Sequence, residues 1–290
     1  MNKLDLRFYN PTAELFIPDL SPATVALART THMAISAHHD DIEIMAAAPI
    51  LECFQHVDKW FSGVVLTDGR GSPRDGQYKE YTDEEMFTVR NKEQKKAAVV
   101  GEYGSLVMLN YPSMVIKDTL AEEPVKDLVR ILKAAHPKYV YTHNLADKHD
   151  THVATSLKVI TAIRQLTADE RPQGLFGCEV WRDLDWMVDS DKVCFDLTDR
   201  ENIQVALLGI FDSQISGGKR YDLAGMGRRR ANATYLESHG VDFAKGLSFA
   251  MDLTPLIQSP EIEIIPYVQE HIQRFADDVA NRLTRLSLSD

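Results

Sequence analysis

Three observations predict an α/β fold with a mostly parallel sheet and helices on both faces. Short apolar runs alternate along the chain with longer segments of helical spacing, a pattern typical of strand–helix–strand units. Residues that favour helix starts lie where several of the longer segments begin. The 290 residues are enough to bury a large core without cross-links.

Six apolar runs are predicted as strands, four of them in the first half of the chain. Because ligands of open parallel sheets bind beyond the carboxyl ends of the strands, the polar residues after each run are the first candidates for a site. The runs cover residues 32–37, 60–66, 105–109, 138–142, 178–181 and 193–197.

Helices are predicted in the segments that separate the first four strands. Thr82 followed by Glu85 has the pattern of a capping box at the start of the second helix. Asp150 or Thr151 can cap a further helix that runs over about 153–165. The three segments between strands cover about residues 43–57, 83–101 and 122–135.

The last helical segment, residues 268–286, carries apolar side chains three or four positions apart, which form one stripe along a helix. We expect this stripe to pack against the rest of the domain. The alternative is a partner-binding surface, including a contact in a homo-oligomer. The stripe consists of Val268, Ile272, Phe275, Val279, Leu283 and Leu286.

The chain is predicted to form a single α/β domain over residues 1–290. Gly and Pro cluster at 171–177, where a parallel core begins to give way to additions at the C-terminal end. The core covers about residues 30–200 and the C-terminal lobe about 201–290, with a soft boundary between them. No internal repeat interrupts this order.

The composition excludes several classes of protein. With 44% apolar and 26% charged residues, the chain is neither disordered nor fibrous. Its net charge of −11 gives no general attraction to nucleic acid or anionic lipid. No window approaches the length of an apolar membrane span, and the N-terminus lacks the pattern of a secretory signal. Three widely spaced cysteines fit a reducing compartment, so we expect a cytoplasmic protein.

Histidines and aspartates are concentrated directly after two of the predicted strands. The first strand is followed by AHHDD at 37–41, and the fourth by THNLADKHDTH at 142–152. Five of the ten histidines lie in these two stretches. Imidazole and carboxylate together suit zinc or another borderline divalent metal.

A catalytic metal site needs three protein ligands and an open position for water. Two histidines and a carboxylate drawn from the two stretches meet that need, and more than three candidates are present. A carboxylate beside a ligand, such as Asp40, can deprotonate the water, and a histidine near the metal, such as His149, can act as an acid. The alternatives are an aspartate that only caps a helix and a histidine that is only hydrogen-bonded.

The two stretches resemble the signature motifs of the LmbE/PIG-L family of zinc-dependent N-deacetylases. Residues 37–41, AHHDD, are similar to the family's Ala-His-Pro-Asp-Asp-Glu, and residues 149–152, HDTH, to its His-Pro-Asp-His. Residues 67–69, TDG, are similar to its Thr-Asp-Gly, and Arg90 with Glu93 to its Arg-x-x-Glu. The four motifs occur in the family's order.

The resemblance spans roughly residues 30–165 and implies a Rossmann-like fold. Family members remove acyl groups from N-acetylated amino sugars and their conjugates. The resemblance therefore implies a zinc-dependent amidohydrolase with one Zn²⁺ per chain, and a small-molecule N-acyl amino sugar as its substrate.

Site residues follow from the resemblance position by position. It makes His38, Asp41 and His152 the zinc ligands. It makes Asp40 the general base, and His149 the residue that stabilises the oxyanion or protonates the leaving amine.

The first motif departs from the family pattern at two positions. His39 replaces the proline, whose fixed φ angle is lost from the turn, and Ile42 replaces the glutamate. His39 could compete as a ligand, although a residue beside a ligand at a strand end usually points away. These changes leave the metal assignment in place and the substrate class open. A metal-bearing protein that binds carbohydrate without catalysis is one alternative.

A glycine-rich loop at 68–80 is a candidate lid over the site. Asp68, Arg70 and Arg74 lie in it, and the arginines could grip the polar groups of a sugar or a phosphate. The alternative is a solvated surface loop.

Three further features are candidates for substrate contact or support. Arg90 points toward the site or forms a pair on the helix surface. Asp147 is expected to orient His149. The basic run GMGRRR at 225–230 contacts an anionic substrate, a neighbouring subunit or only solvent.

A metal-dependent phosphoesterase is the second functional hypothesis. Paired aspartates beside histidines also suit phosphate chemistry, and Arg70 or Arg74 could hold the phosphoryl group. Such enzymes often use two bridged metals. Two ions per chain would favour this hypothesis, and one ion would favour deacylation.

Overall fold

A computed structural model describes residues 6–287 of the chain. Eight strands of this part form one continuous sheet. The strands are β1 (Glu14–Phe16), β2 (His32–Ser36), β3 (Phe61–Thr67), β4 (Ser105–Tyr111), β5 (Tyr139–His143), β6 (Gly174–Cys178), β7 (Lys192–Asp196) and β8 (Leu247–Asp252).

Helices connect the strands and flank the sheet. They are α1 (Ala23–Ala28), α2 (Asp41–Met45), α3 (Ala47–Cys53), α4 (Asp83–Val100), α5 (Ser113–Lys117), α6 (Glu123–Ala135), α7 (Asp150–Arg164), α8 (Glu201–Gly209), α9 (Asp212–Ile215), α10 (Tyr221–Tyr235), α11 (Thr254–Gln258) and α12 (Ile264–Leu286).

The order of strands across the sheet is β1-β4-β3-β2-β5-β6-β8-β7. The five strands from β4 to β6 run parallel to one another, whereas β1, β8 and β7 are added antiparallel at the two ends. The predicted α/β class is confirmed. The prediction of a mostly parallel sheet holds for the five central strands, whereas the three outer strands pair antiparallel with their neighbours, which makes the sheet mixed.

Two apolar clusters cover opposite faces of the sheet. Along β2, Met33 and Ile35 belong to one cluster, whereas Ala34 between them belongs to the other. Successive side chains of a strand point to opposite faces, so β2 is buried on both sides. Helices α6 and α7 contribute to the first cluster, and α2 and α3 to the second.

Helix starts agree with the sequence in one case and differ in another. At α4, Thr82 Oγ1 accepts the Glu85 N–H at 3.3 Å and the Glu85 carboxylate accepts the Thr82 N–H at 2.8 Å, so the predicted capping box is confirmed. At α7, the cap is His149, whose Nδ1 accepts the Thr151 N–H at 3.3 Å. The predicted caps Asp150 and Thr151 are therefore wrong, since an imidazole already takes that role.

Helix α12 packs on the domain only through its first part. Tyr267 and Val268 pack against the core, and the Tyr267 hydroxyl donates to the Asp252 carbonyl oxygen at 2.5 Å. Farther along, the apolar stripe faces outward: Phe275 is 40% and Leu283 is 63% exposed. The expectation that the whole stripe packs against the domain is wrong for this half, because no described element of the fold extends that far to cover it.

No helix within residues 6–287 is long and apolar enough to cross a membrane. All three cysteines carry free thiols, those of Cys53 and Cys178 being buried. The N-terminal segment, which lacks the pattern of a secretory signal, begins with residues 1–5, and these lie outside the described residues.

Candidate active site

Two loops at the carboxyl ends of neighbouring strands meet at one point. The direction in which strands are added reverses between β2 and β5, with β3 and β4 on one side and β6 on the other. Crevices form at such a reversal in open parallel sheets. After β2 the chain turns sharply through Asp40, which has a left-handed φ of 82°, and α2 then begins at Asp41. After β5 a loop leads into α7, whose first turn carries His152.

Three side chains from these loops place one potential ligand atom each at nearly equal spacing. His38 Nδ1 lies 3.2 Å from Asp41 Oδ2 and 3.1 Å from His152 Nε2. His152 Nε2 lies 3.3 Å from the same Asp41 oxygen. Ligand atoms bound to one tetrahedral zinc ion are about 3.3 Å apart, given bond lengths of about 2.0–2.1 Å. The three atoms therefore fit a single divalent cation.

The charges around His152 favour a cation at this point. Besides Asp41, the Asp147 carboxylate faces the ring, with its Oδ2 3.5 Å from His152 Nδ1. Burial opposes a charge on His152, but the two carboxylates raise the pKa of the imidazole to about 9. Burial also opposes ionisation of Asp41, but His152 and His143 hold the pKa of that carboxyl well below its usual range. The donor set thus combines neutralising carboxylates with imidazoles, which suits zinc.

Asp147 contacts a different histidine from the one that the sequence suggested. Its Oδ1 accepts the backbone N–H of His149 at 2.9 Å, and its Oδ2 accepts the N–H of Trp181 at 3.0 Å. The imidazole that it faces is that of His152 and not that of His149. Asp147 therefore ties the loop backbone to a predicted ligand, a common arrangement around metal-binding histidines.

His143, which the sequence analysis did not single out, supports the centre from within the sheet. Its Nε2 accepts the Ala37 N–H at 2.9 Å, and its ring stacks on that of His152 with centroids 3.9 Å apart. Nε2 also lies 3.5 Å from Asp41 Oδ2. Because the Nε2 lone pair already accepts a hydrogen bond, this nitrogen is not free to bind a metal, and His143 packs against the predicted ligand His152. Its place as the last residue of a buried strand, in the histidine-rich stretch, was the available signal.

His149 borders the centre from the side of the cavity. Its ring centroid lies 4.8 Å from that of His38 and 4.6 Å from that of His152. Burial lowers the pKa of His149 to about 4, and the two neighbouring imidazoles add to the effect. Since Nδ1 accepts the Thr151 N–H, the neutral ring carries its proton on Nε2. His149 can therefore donate a hydrogen bond to a bound group.

Asp40 is a buried carboxylate next to a predicted ligand, and it lines the same cavity as His149. Arg90 Nη2 donates to Asp40 Oδ2 at 3.0 Å, and the Asp40 N–H donates to Gln94 Oε1 at 3.1 Å. Burial raises the pKa of Asp40 to about 7, against the opposing effect of the Arg90 charge. A carboxyl group with such a pKa can exchange protons near neutral pH.

His39 points away from the cluster, toward α4. Its ring is buried, and its Nε2 lies 3.2 Å from Asn91 Oδ1. Burial lowers the pKa of His39 to about 3. The ring leaves little room beside Gly69, where a Cβ atom would lie 3.1 Å from His39 Nδ1 and 3.0 Å from Arg90, and where φ is +70°. Glycine is therefore required at this position of the TDG motif.

Arg90 lines the cavity. The arginines of the loop at 68–80, in contrast, pair with acidic residues of the loop and of α4. Arg70 donates to Asp68 at 3.1 Å and to Glu84 at 2.8 Å. Arg74 donates to Asp83 and to the Tyr81 carbonyl oxygen. Asp68, Arg70 and Arg74 do not belong to the described lining of the cavity. Their charges stabilise the loop itself.

The basic run at 225–230 lies within α10, and its three arginines differ in role. Arg229 is buried and donates to the Glu43 carbonyl oxygen at 2.8 Å, which anchors α10 to α2. Arg228 lines the cavity and donates to the Val180 carbonyl oxygen. Arg230 pairs with Glu201 at the surface.

A cavity of about 830 Å³ opens over the cluster. Its walls include the predicted ligands His38 and Asp41, the two candidate proton-handling residues and two aromatic side chains, Trp181 and Tyr221. The volume is typical of sites that enclose small organic ligands. The predicted catalytic residues and two of the predicted ligands therefore share one ligand-sized space.

A sequence comparison identifies a family over the segment that holds the cluster. The family model of GlcNAc-PI de-N-acetylase, PIG-L, matches residues 33–163. This segment contains all four motifs on which the sequence resemblance rests, and that resemblance is confirmed. No curated protein matches the chain at a significant level.

Solved structures of several enzymes share the fold. N,N'-diacetylchitobiose deacetylase from Pyrococcus horikoshii is 19% identical, with a TM-score of 0.56 over 80% of this chain and 88% of that one. A deacetylase of the teicoplanin biosynthesis pathway is 13% identical, with a TM-score of 0.51 over 76% and 96%. The 4-carboxy-2-hydroxymuconate hydratase from Pseudomonas putida is 15% identical, with a TM-score of 0.56 over 77% and 95%. Since the last is a hydratase, the fold alone does not specify the reaction.

Proposed function

Because residues 33–163 belong to the PIG-L family, we propose that this protein is a metal-dependent amidohydrolase that removes the acetyl group from an N-acetylated amino sugar or its conjugate. The observation that carries the proposal is the spacing of 3.1–3.3 Å among the three donor atoms of His38, Asp41 and His152. The deacetylases among the structures of similar fold support the same class of reaction.

We propose one Zn²⁺ per chain, held by His38, Asp41 and His152. When bound there, the ion polarises the amide carbonyl group and lowers the pKa of its water to about 7. Asp147 and His143 would keep the His152 ring in its orientation, since one faces the ring nitrogen and the other stacks on its face.

Two residues of the cavity would handle the protons and the developing charge. Asp40 accepts a proton from the attacking water as the new carbon–oxygen bond forms, while Arg90 holds its carboxylate in place. His149, with its proton on Nε2, donates a hydrogen bond to the oxygen of the tetrahedral carbon. As the carbon–nitrogen bond breaks, the proton on Asp40 passes to the leaving amine. The low pKa of His149 favours the stabilising role over that of the acid.

The arrangement of donors favours deacylation over phosphoester hydrolysis. Within the described part of the chain, the candidate groups are His38, His149 and His152, and Asp41, His143 and His152. Both groups contain His152, and the donor atoms of His38, Asp41 and His152 lie 3.1–3.3 Å apart, so the donors converge on one ion. The described residues offer no separate second group for the two bridged ions that many phosphoesterases use.

Metal analysis combined with acetate release tests this proposal. The purified protein is assayed against a panel of N-acetylated amino sugars, with and without a chelator, and its zinc content is measured. We expect one zinc per chain, acetate release, loss of activity with the chelator and recovery on addition of zinc. Hydrolysis of p-nitrophenyl phosphate without acetate release, together with two ions per chain, would support the phosphoesterase instead.

We also propose that α12 pairs with the α12 of a second copy in a homo-oligomer. The exposed half of the stripe comprises Ile272, Phe275, Val279, Leu283 and Leu286. Asp278 and Arg282 flank the stripe on one side of the helix. In an antiparallel pair centred near residue 280, Asp278 of each helix lies beside Arg282 of the other, so the charges are complementary.

Light scattering coupled to size-exclusion chromatography tests the pairing of α12. We expect the wild-type protein to elute as a dimer, and the variant with Phe275→Ser and Val279→Ser as a monomer. Val57→Ser, which removes an exposed apolar side chain elsewhere, is the control. A wild-type monomer at micromolar concentration would contradict this proposal. A cytoplasmic location, inferred from the cysteine content, stays a prediction.

A further inference from the structure

The charged side chains that line the cavity are segregated by depth. The acidic ones are buried: Asp40 and Asp41 at the cluster, and Glu179 in the wall. By contrast, every lysine, arginine, aspartate or glutamate of the lining that is not buried is a lysine or an arginine. This is unexpected in a protein with a net charge of −11. The outer cations are Lys117, Lys148, Lys219, Arg220 and Arg228.

The buried acids have partners within the fold, although Glu179 also attracts one of the outer cations, Arg228. Asp40 pairs with Arg90 at 3.0 Å. Glu179 accepts the backbone N–H groups of Leu184 at 2.8 Å and of Phe249 at 3.0 Å, so both its oxygens are occupied within the fold. None of the three outer lysines is paired with a buried acid of the described lining.

The three lysines among the outer cations form no ion pair with the described residues, whereas Arg228 donates to the Val180 carbonyl oxygen and lies near Glu179. The ammonium groups of Lys117 and Lys148 form no hydrogen bond or ion pair with the described residues, and that of Lys219 lies 5.1 Å from the centroid of the Trp181 ring. Arg220, in contrast, forms a two-point ion pair with Asp222. These lysines can thus bind an anion without breaking an ion pair.

Two of these lysines adjoin His149, one as its neighbour in the chain and one through an aromatic ring. Lys148 directly precedes His149 in the loop between β5 and α7. The Trp181 ring lies 6.3 Å from the His149 ring and also contacts the Lys219 ammonium, so one aromatic side chain separates Lys219 from His149. A substrate whose acetamido group reaches the cluster would extend past these two cations.

We propose that Lys148 and Lys219 form a subsite for an anionic group, a phosphate or a carboxylate, carried by the amino-sugar substrate away from its acetamido group. The inference rests on the proposed function and specifies its substrate class. Ammonium groups act as point charges that suit such anions without demanding one geometry. The arginines of the loop at 68–80, which the sequence suggested for this role, are occupied by Asp68, Glu84 and Asp83.

Steady-state kinetics with three substrates test the subsite. N-acetylglucosamine is neutral, N-acetylglucosamine 1-phosphate carries a phosphate, and N-acetylmuramic acid carries a carboxylate. We expect lower KM values for one or both anionic sugars. Lys148→Gln and Lys219→Gln should each raise KM for the preferred anionic sugar about tenfold, with kcat changed by less than about twofold and neutral-sugar kinetics unchanged. Lys92→Gln removes an exposed cation of α4 outside the lining and is the matched control.

The outcomes separate this inference from the proposed function. Acetate release with equal KM for neutral and anionic sugars, or an equal loss for both in the variants, would overturn the subsite and leave the deacetylase intact. If no substrate releases acetate, the proposed function fails, and calorimetric titration with glucosamine 1-phosphate then tests the subsite alone. Binding that weakens about tenfold in Lys219→Gln supports it. Binding equal to that of the wild-type protein overturns it.

Discussion

His38 Nδ1 lies 3.1 Å from His152 Nε2, although 114 positions of sequence separate the two residues. The pairing of β2 with β5 brings them together, because the parallel register sets Ala34 beside Tyr141 and both strands end at the same edge. The Asp41 carboxylate completes the triangle from the start of α2. The proposed metal centre is thus a product of the sheet's topology.

His152→Ala should abolish stable zinc binding. The substitution removes the donor that both candidate groups share, and two ligands remain where a catalytic zinc needs three. Zinc content after dialysis, measured by atomic emission, should fall from about one ion per chain to nearly none. His239→Ala, which removes an exposed histidine outside the cavity lining, should keep its metal. Full zinc occupancy in His152→Ala would refute the assignment of this ligand.

Asp40→Asn should abolish turnover without loss of the metal. The amide retains a hydrogen-bonding oxygen toward Arg90 but cannot accept the water proton. We expect kcat for acetate release to fall by about 10²–10⁴-fold, the usual contribution of a general base. If zinc is lost together with activity, Asp40 is a ligand and the role of base belongs to another residue.

The convergence of the candidate site residues could be predicted from the sequence because strand ends and side-chain chemistry are local features. The stretches at 37–41 and 142–152 follow two apolar runs, and the runs form β2 and β5 within a residue or two. The metal-binding chemistry follows from residue type. The adjacency of the two strands comes from the strand order of a doubly wound sheet.

The sequence fails where the outcome depends on packing between distant segments. Strand β1 has only three residues, and β8 lies far from its partner β6 in sequence, so neither is visible as a local signal. The orientation of Asp147 toward His152 depends on a rotation of the loop that sequence spacing does not determine. Arg70 and Arg74 are basic in a candidate lid, but nearby acids in α4 and the loop occupy them.

Asp147→Asn should weaken metal binding more than it changes the chemistry. The substitution removes the negative charge beside His152 Nδ1 and leaves one oxygen in place of the two that accept the N–H groups of His149 and Trp181, so one of these hydrogen bonds is also lost. Loss of such a partner typically lowers metal affinity about 10–100-fold. Competition with a chromogenic chelator measures this shift, and activity should return at high zinc concentration. Asp150→Asn, an exposed neighbour, is the control, and equal zinc affinities in the two variants would contradict the role of Asp147.

Glu43→Gln should make the stability of the metal-free protein less dependent on pH. Glu43 is a buried residue of α2. It accepts hydrogen bonds from Gln94 at 2.8 Å and from Tyr103 at 2.7 Å, and the charge of Asp40 also acts on it. Burial raises the pKa of Glu43 to about 8, from 4.5 in an unperturbed chain. Between these values the folded state binds more protons than the unfolded state. The free energy of unfolding therefore falls as the pH rises through this window.

Glutamine cannot ionise, so the free energy of unfolding of the variant does not fall for this reason as the pH rises. The difference in the free energy of unfolding, variant minus wild type, should rise by on the order of a few kcal/mol from pH 5 to pH 8.5. Urea titrations in the presence of a chelator measure the difference at both pH values. Glu237→Gln, at an exposed position, should leave the pH dependence unchanged. A difference between Glu43→Gln and wild type that is the same at both pH values would mean that Glu43 ionises normally in the folded protein, despite its burial.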